Sequence, residues 1–245
     1  VLDRIESYYD TVPRSGSGVE EFGSLRLFVS HAPWPYYGRP SGAEGDRRQD
    51  LERLLTRQSE LGIRQSLEWV EEVTPWLARE AEAAGLEVSR CPLMVLDEPF
   101  PVPAVDGIEV RIATPDDAGI PAARAAVDRA FGGTGDSDAA VAAYIRERIR
   151  DGAMAMAIAE SADGPVASGS VNPRGEVAEL VAIGTLPDYQ RRGIGLAVTA
   201  ALVGEVRRQG VELVFLSAGG EEVARIYERA GFRRIAHACI AEHNS

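Results

Sequence analysis

The chain has 245 residues, 45% hydrophobic and 26% charged, enough for one large or two modest domains with buried cores and a soluble surface. Its 38 acidic against 26 basic side chains leave a formal charge of -12, which repels the phosphates that dominate nonspecific nucleic-acid binding and makes DNA or RNA a poor partner. No stretch approaches the roughly 20 uninterrupted apolar residues that cross a bilayer, and no charged-then-apolar leader opens the chain, so a soluble cytoplasmic protein without a membrane partner is expected.

Every Lys or Arg position is Arg, and the chain has no Lys. Cys91 and Cys239 are too few and too far apart for a sulfur-rich metal site or a disulfide framework, so free thiols and no metal are expected. In chain order, Leu25-Arg26-Leu27-Phe28-Val29 predicts a strand, and 46–61 predicts a helix with Leu51, Leu54, Leu55 and Leu61 near one stripe. Before these strands' successors comes His31-Ala32-Pro33-Trp34-Pro35-Tyr36-Tyr37, an aromatic-rich loop that either lines a substrate entrance or simply packs. Glu68-Trp69-Val70 reads as a strand. Thr74-Pro75 supplies an N-cap and a first-turn proline for a helix to Ala84, which Gly85 ends before a strand over 86–96.

Pro99, Pro101 and Pro103 hold 96–103 extended, which predicts a linker between an N-terminal α/β domain at 1–103 and a second domain at 106–245. The second domain opens on the alternating strand Ile108-Glu109-Val110-Arg111-Ile112 and a helix start at Thr114-Pro115-Asp116-Asp117. Helices are predicted over 118–130 and 138–150, then strands over 153–160, 166–172 and 176–185. A helix over 193–208, a strand over 213–217, a helix over 221–230 and a strand over 232–241 complete a mixed α/β sheet fold.

The chemistry concentrates after the strand that ends near Thr185. A Pro-containing turn leads through Gln190-Arg191-Arg192-Gly193-Ile194-Gly195-Leu196 directly into an amphipathic helix. The first N–H groups of a helix lack internal partners, the helix dipole favours negative charge there, and glycine lets the backbone approach a ligand; a pyrophosphate fits. Arg191 and Arg192 add local positive charge to an acidic protein. Taken alone, the pattern also fits a glycine-rich turn kept for tight packing. The Walker pattern needs a Lys that this chain lacks, and the dinucleotide fingerprint needs a glycine where Val198 stands.

Gln190-x-x-Gly193-x-Gly195 is similar to the Gln/Arg-x-x-Gly-x-Gly/Ala signature of the GNAT N-acetyltransferase family. Downstream, Tyr227-Glu228-Arg229-Ala230-Gly231-Phe232 resembles the family's Tyr-x-x-x-Gly-Phe ending, so the resemblance covers roughly 108–241. It implies an acyl-CoA N-acyltransferase fold with acetyl-CoA as cofactor, its pyrophosphate held by the amides of 190–196. It also implies a preceding strand that splays from its neighbour and offers Ile183, Gly184 and Thr185 to the pantetheine arm, with an amide near Gly184 polarising the thioester carbonyl.

Acetyl transfer needs an uncharged amine and a proton for the departing sulfur. The resemblance assigns Glu179 as general base, against the alternative of a solvated strand residue or ion-pair partner. It assigns Tyr227 to the sulfur, against a tyrosine that merely packs at a helix end. One departure is Gly220, where the family often has Asn seven residues before this tyrosine. His237 and His243 have no metal-like spacing and are expected at the surface or in packing roles.

The first half resembles, more loosely, the N-terminal segments of two-domain GNAT proteins in which one copy has lost its cofactor loop; Glu68-Trp69-Val70, Trp76-Leu77 and Pro92-Leu93-Met94-Val95-Leu96 carry this. With no phosphate loop between Val70 and Trp76, one cofactor site per chain is implied. Two functional classes follow: an enzyme acetylating a small-molecule amine or a protein amino group, as monomer or homodimer, and a coenzyme A-binding sensor or interaction module without turnover. Retention of both Glu179 and Tyr227 favours the enzyme.

Overall fold

The computed structural model describes residues 1–31, 33, 37–136 and 138–243. These form a mixed α/β fold in two compact units, Val1–Leu93 with Ser217–Ala224 and Arg234–Ser245, and Met94–Leu216 with Arg225–Arg233. The division at 1–103 and 106–245 puts the last strand with the C-terminal domain, whereas the structure groups most of it with the first unit. The cause is strand pairing: β11 (Phe232–Glu242) runs antiparallel to β4 (Ser66–Val70), with Cys239 opposite Trp69 and Glu242 opposite Ser66. Partners so distant in sequence leave no local pattern to read.

In the first unit, β1 (Ser17–Phe22) and β2 (Leu25–Ser30) form a hairpin, β3 (Gly38–Pro40) pairs antiparallel with β2, and β4 runs parallel to β3 with Gly38 opposite Leu67. Helix α1 (Leu2–Thr11) buries Ile5, Tyr8 and Tyr9, the i, i+3, i+4 spacing of an amphipathic helix. α1, β1 and β3 are additions to the elements legible in the sequence. Helices α2 (Arg47–Glu60) and α3 (Trp76–Ala83) bring Leu51, Leu54, Leu77 and Ala81 into a core with Leu25, Leu27, Leu67 and Trp69. The buried Asp50 carboxylate in the first turn of α2 accepts from the Ser24 N–H at 2.8 Å and the Ser24 hydroxyl at 2.9 Å. It occupies the space a Cβ would take on Gly23 or Gly45. Of the aromatic-rich loop, Ala32, Trp34, Pro35 and Tyr36 lie outside the described residues, and with them the substrate-entrance reading.

Strand β5 (Glu87–Leu96) leaves the first unit after Leu93. In the second unit, β6 (Glu109–Ile112), β7 (Ala155–Ser161), β8 (Gly164–Arg174) and β9 (Val177–Thr185) are successive antiparallel neighbours, and β10 (Leu213–Ser217) adds to β9 in parallel. Helix α4 begins at Ile120, later than the helix start expected at Thr114. Asp117 turns the chain instead, taking the Gly119 N–H at 2.8 Å and pairing with Arg111.

Helices cover both faces of this sheet. On β8 the adjacent residues Ser168 and Gly169 point opposite ways: the Ser168 hydroxyl reaches the Ala123 carbonyl of α4 (Ile120–Ala130), while Gly169 lies against Val198 of α6 (Ile194–Arg208). Alternation along a strand makes that division. Helix α5 (Ala139–Arg150) joins α4 in a core with Met154, Met156 and Ile158. α6 buries Ile194, Ala197, Val198, Ala200, Leu202, Val203 and Val206, so its start is fixed at the end of β9 by a wide apolar face. Among the described residues no helix is long and apolar enough to cross a membrane.

Candidate active site

Strand β9 changes partners partway along. It pairs with β10 at Val177, Ala178 and Glu179, opposite Leu213, Val214 and Phe215. The ladder stops there, although β9 continues to Thr185 and β10 to Ser217. On its other edge the register with β8 slips between Ser168, opposite Gly184, and Ser170, opposite Val181. Ala182 and Ile183 thus share the space facing Gly169, a bulge, and a bulge bends its strand and sharpens its twist. Ala182 takes a left-handed φ of 52°, which costs an L-residue roughly 1–2 kcal/mol. The backbone of 180–185 on the β10 side lies outside the ladder, an edge that an extended ligand can pair with.

The following loop is built from its own side chains. A 3-10 turn at Pro187–Tyr189 ends with Gln190, whose Nε2 donates to the Thr185 carbonyl at 3.1 Å and closes the turn. Arg191 and Gly193 both have positive φ, 61° and 83°, with Arg192 between them. Alternating handedness of this kind points successive N–H groups into one concavity and makes an anion nest. Gly193 is the N-cap of α6 and no side chain caps the helix. The amides of Ile194, Gly195 and Leu196 therefore begin a helix that, among the described residues, carries no side-chain cap at its positive end. Residues 190–193 are exposed and Gly195 and Leu196 half-buried, so the concavity opens to solvent.

The two arginines differ. Arg191 is exposed. Arg192 is braced: its guanidinium lies 5.4 Å from the centre of the Tyr189 ring and donates to the Asp106 carbonyl at 3.1 Å, while the Tyr189 hydroxyl is 3.4 Å from the Ser161 hydroxyl. Arg192 thus holds the loop to the β7–β8 turn and contributes charge beside the nest from a fixed position.

Glu179 and Tyr227 both belong to the second unit. Glu179 is half-buried at the last rung shared with β10, opposite Asn172 of β8, where the strands begin to part. Tyr227, on α7 (Glu221–Arg229), is half-buried with its ring edge-on to Phe232 at 5.3 Å. Burial holds its hydroxyl above the usual phenol range, and a hydrogen bond with the Thr199 hydroxyl pulls the other way. A phenol in this state is protonated at neutral pH and can donate. Gly220 has φ 147°, a conformation L side chains rarely adopt, which suits glycine where the family often has Asn. His237 is exposed and pairs through Nδ1 with Glu72 at 2.9 Å, a surface role. His243 is exposed as well.

Gly169, Ala182, Tyr189 and Thr199 are parts of this site that motif reading misses. A signal existed for the first: a lone glycine inside an apolar strand commonly marks a bulge or a close backbone approach. Phe131, at the end of α4, is 68% exposed, and its Cε2 would lie 3.4 Å from a Cβ on Gly184.

Residues 124–232 match the family described as Acetyltransferase (GNAT) family. A mycothiol acetyltransferase of Cellulomonas flavigena is 39% identical over 66 residues, 26% of this chain and 19% of that protein, so the match spans about a fifth of the relative's length. Among solved structures, a GCN5-related N-acetyltransferase from Kribbella flavida is similar with a TM-score of 0.81 at 22% identity, over 100% of this chain and 96% of its own. A tandem GNAT protein from the clavulanic acid biosynthesis pathway is similar with a TM-score of 0.63 at 17% identity, over 89% of this chain and 78% of its own. At these identities the two structures speak for the fold. The region at 124–232, which carries the parted strand and the nest beyond it, matches the acetyltransferase (GNAT) family.

Proposed function

We propose that the protein is an N-acetyltransferase that moves an acetyl group from acetyl-CoA to a primary amine by direct attack. One observation carries this: an uncapped helix start with left-handed residues at Arg191 and Gly193 follows immediately on a strand that has left its neighbour after Glu179. The first feature fits a pyrophosphate and the second an extended amide-containing arm, and coenzyme A contains both. The amides of 190–196, with Arg191 and Arg192, would hold the diphosphate, and the backbone of Ile183, Gly184 and Thr185 the arm.

Acetyl-CoA bound there would supply an activated acetyl thioester. Glu179 takes one proton from the ammonium group of the acceptor, directly or through water, and so exposes the nitrogen lone pair. An amide near Gly184 donates to the carbonyl oxygen as negative charge develops on it. Tyr227 gives its hydroxyl proton to the sulfur as the carbon–sulfur bond breaks and the carbon–nitrogen bond forms. Forming the carbon–nitrogen bond leaves a second proton on the nitrogen, which passes through water to the Tyr227 oxygen as the neutral amide forms, while Glu179 returns its proton to solvent, so one proton is released per turnover.

The acceptor is a small-molecule amine or a protein amino group; the overall acidity of the chain favours a cationic one. The first unit acts as a GNAT-like partner without its own cofactor. Its α2 follows β3 and precedes the parallel β4 as α6 follows β9 and precedes β10, yet α2 is capped by Asp46, whose carboxylate accepts from the Gln49 N–H at 3.2 Å. Asp50 adds a second negative charge in that first turn. Both charges oppose an anion at the start of α2.

Titration calorimetry of the full chain with acetyl-CoA should give one site per chain, and thiol release should appear with at least one member of a panel of amines. Absence of binding would sink the proposal. Binding without release for any amine would point instead to a coenzyme A sensor.

A further inference from the structure

Strand parity places Glu179 and an exposed aromatic ring on one face of the sheet. Directly opposed residues of an antiparallel pair point the same way, and successive residues alternate. Ser168 faces α4, so Ser170 and Asn172 face it too, and with them their partners on β9: Gly184 opposite Ser168, Val181 opposite Ser170 and Glu179 opposite Asn172. Gly184 meets the end of α4 so closely that a Cβ there would lie 3.0 Å from the Ala130 Cβ and 3.4 Å from the Phe131 Cε2. The Phe131 ring therefore borders β9 at the amide assigned to the thioester carbonyl, on the face that carries Glu179.

That ring is anchored through its backbone and left uncovered. The Phe131 N–H donates to the Val127 and Asp128 carbonyls, both at 3.1 Å. The loop beyond is tied to the same turn, Gly133 donating to the Asp128 carbonyl at 2.9 Å and Gly135 to the Asp128 carboxylate at 2.8 Å. Even so, Phe131 is the most exposed large apolar side chain among the described residues. A lone exposed ring needs no explanation by itself; a fixed one beside the reacting carbonyl does. Val181, between Glu179 and Gly184 on that face, is half-buried, so the stretch joining carboxylate to ring is aliphatic and only partly covered. A nitrogen that attacks a carbonyl held at Gly184 from the Glu179 face brings its own carbon atoms against Phe131.

We propose that Phe131 is a specificity-determining residue that packs on the hydrocarbon arm of the acceptor, and that the acceptor is a primary amine carried on a run of methylene carbons. The inference rests on the acetyl-transfer reading, with Glu179 as base. A free alkylamine and a lysine side chain both offer such an arm.

Steady-state kinetics of the full chain with acetyl-CoA test it by comparing n-hexylamine with diglycolamine, an ether-alcohol amine of the same length, in the parent, Phe131→Ala and Phe131→Leu. The parent should favour hexylamine about tenfold in kcat/KM, a discrimination that a small apolar contact can supply. Phe131→Ala should erase the preference by slowing hexylamine alone, and Phe131→Leu should keep most of it, because apolar surface remains. Should Phe131→Ala melt early, Phe131→Gln removes the apolar surface while keeping bulk. No preference for hexylamine in the parent, a ratio unchanged in Phe131→Ala, or equal losses on both amines would overturn the proposal. So would a shift from acetyl-CoA toward propionyl-CoA in Phe131→Ala with the amine ratio intact, which would set the ring against the acyl group. N-α-acetyl-lysine amide separates the two sources: turnover that depends on Phe131 as hexylamine does assigns the arm to a lysine side chain, and none assigns it to a free amine. If no amine releases thiol, the acetyl-transfer reading falls and takes this inference with it; if both amines react alike, only the inference falls.

Discussion

Gly169 faces Ile183 so closely across the β8–β9 pair that a Cβ on the glycine would lie 2.7 Å from the Ile183 Cγ1, and 3.1 Å from the Val198 Cγ1 of α6. The bulge in the β8–β9 pair therefore depends on a missing side chain one strand away. Gly169→Ala should cost about 1–3 kcal/mol through overpacking and should weaken acetyl-CoA binding along with it. Thermal melting with calorimetric titration reads both. A variant that melts and binds as the parent does would separate the bulge from the cofactor.

Replacing Tyr227 with Phe preserves the edge-on contact with Phe232 and removes only the hydroxyl. Turnover should drop by about 10²-fold, the lower end of what a positioned general acid contributes, with cofactor affinity little changed. The parent enzyme carries a related signature. Because burial raises the Tyr227 hydroxyl above the usual phenol range, its proton-donating form persists through neutral pH, and activity dependent on it should fade only as pH climbs past that range. A pH series of kcat on both proteins checks the pair of expectations.

Glu179→Gln keeps the size of the side chain where β9 leaves β10 but cannot take a proton. Acetylation should then wait on amine already deprotonated by solvent, so the rate profile should move to higher pH and rise toward the acceptor's own pKa. If pH profiles of the two proteins superimpose, Glu179 is an ordinary strand residue.

At Gly193 the nearest atom to a built Cβ is 4.0 Å away, so crowding is not what demands glycine. The demand is conformational: with φ at 83°, Gly193→Ala should cost roughly 1–2 kcal/mol and distort the nest. We expect a melting temperature lower by a few degrees, about 2–4 °C per kcal/mol for a chain of this size, and looser acetyl-CoA binding. Differential scanning calorimetry with and without the cofactor measures each.

In the first unit, Asp50→Ala should strand the buried Ser24 N–H and hydroxyl and cost about 1–3 kcal/mol. Asp50→Asn, which keeps an acceptor oxygen, should cost less. Urea denaturation ranks the two; equal losses would show that the charge matters more than the hydrogen bonds.

Much of the second unit is legible without coordinates. Strands and helices from Ile108 onward alternate with clear periodicity, and Gln190-x-x-Gly193-x-Gly195 marks the helix start where the structure places an uncapped N-terminus. The first unit is less legible. Ile5, Tyr8 and Tyr9 have helical spacing, yet a short helix with few apolar residues competes poorly with the stronger signals around Leu51 and Leu54. β3 is three residues long, too short to show alternation.

The sequence by itself determined the order of elements in the second unit, the glycine-rich helix start of α6 and the tyrosine after it, because backbone preference, capping and glycine placement act over a few neighbouring residues. The tertiary structure decided which residues surround that nest. Gly169 meets Ile183 through a register slip, and β11 joins β4 across most of the chain. Those contacts follow from where buried side chains and strand edges find partners in three dimensions, and no local stretch of sequence carries that information.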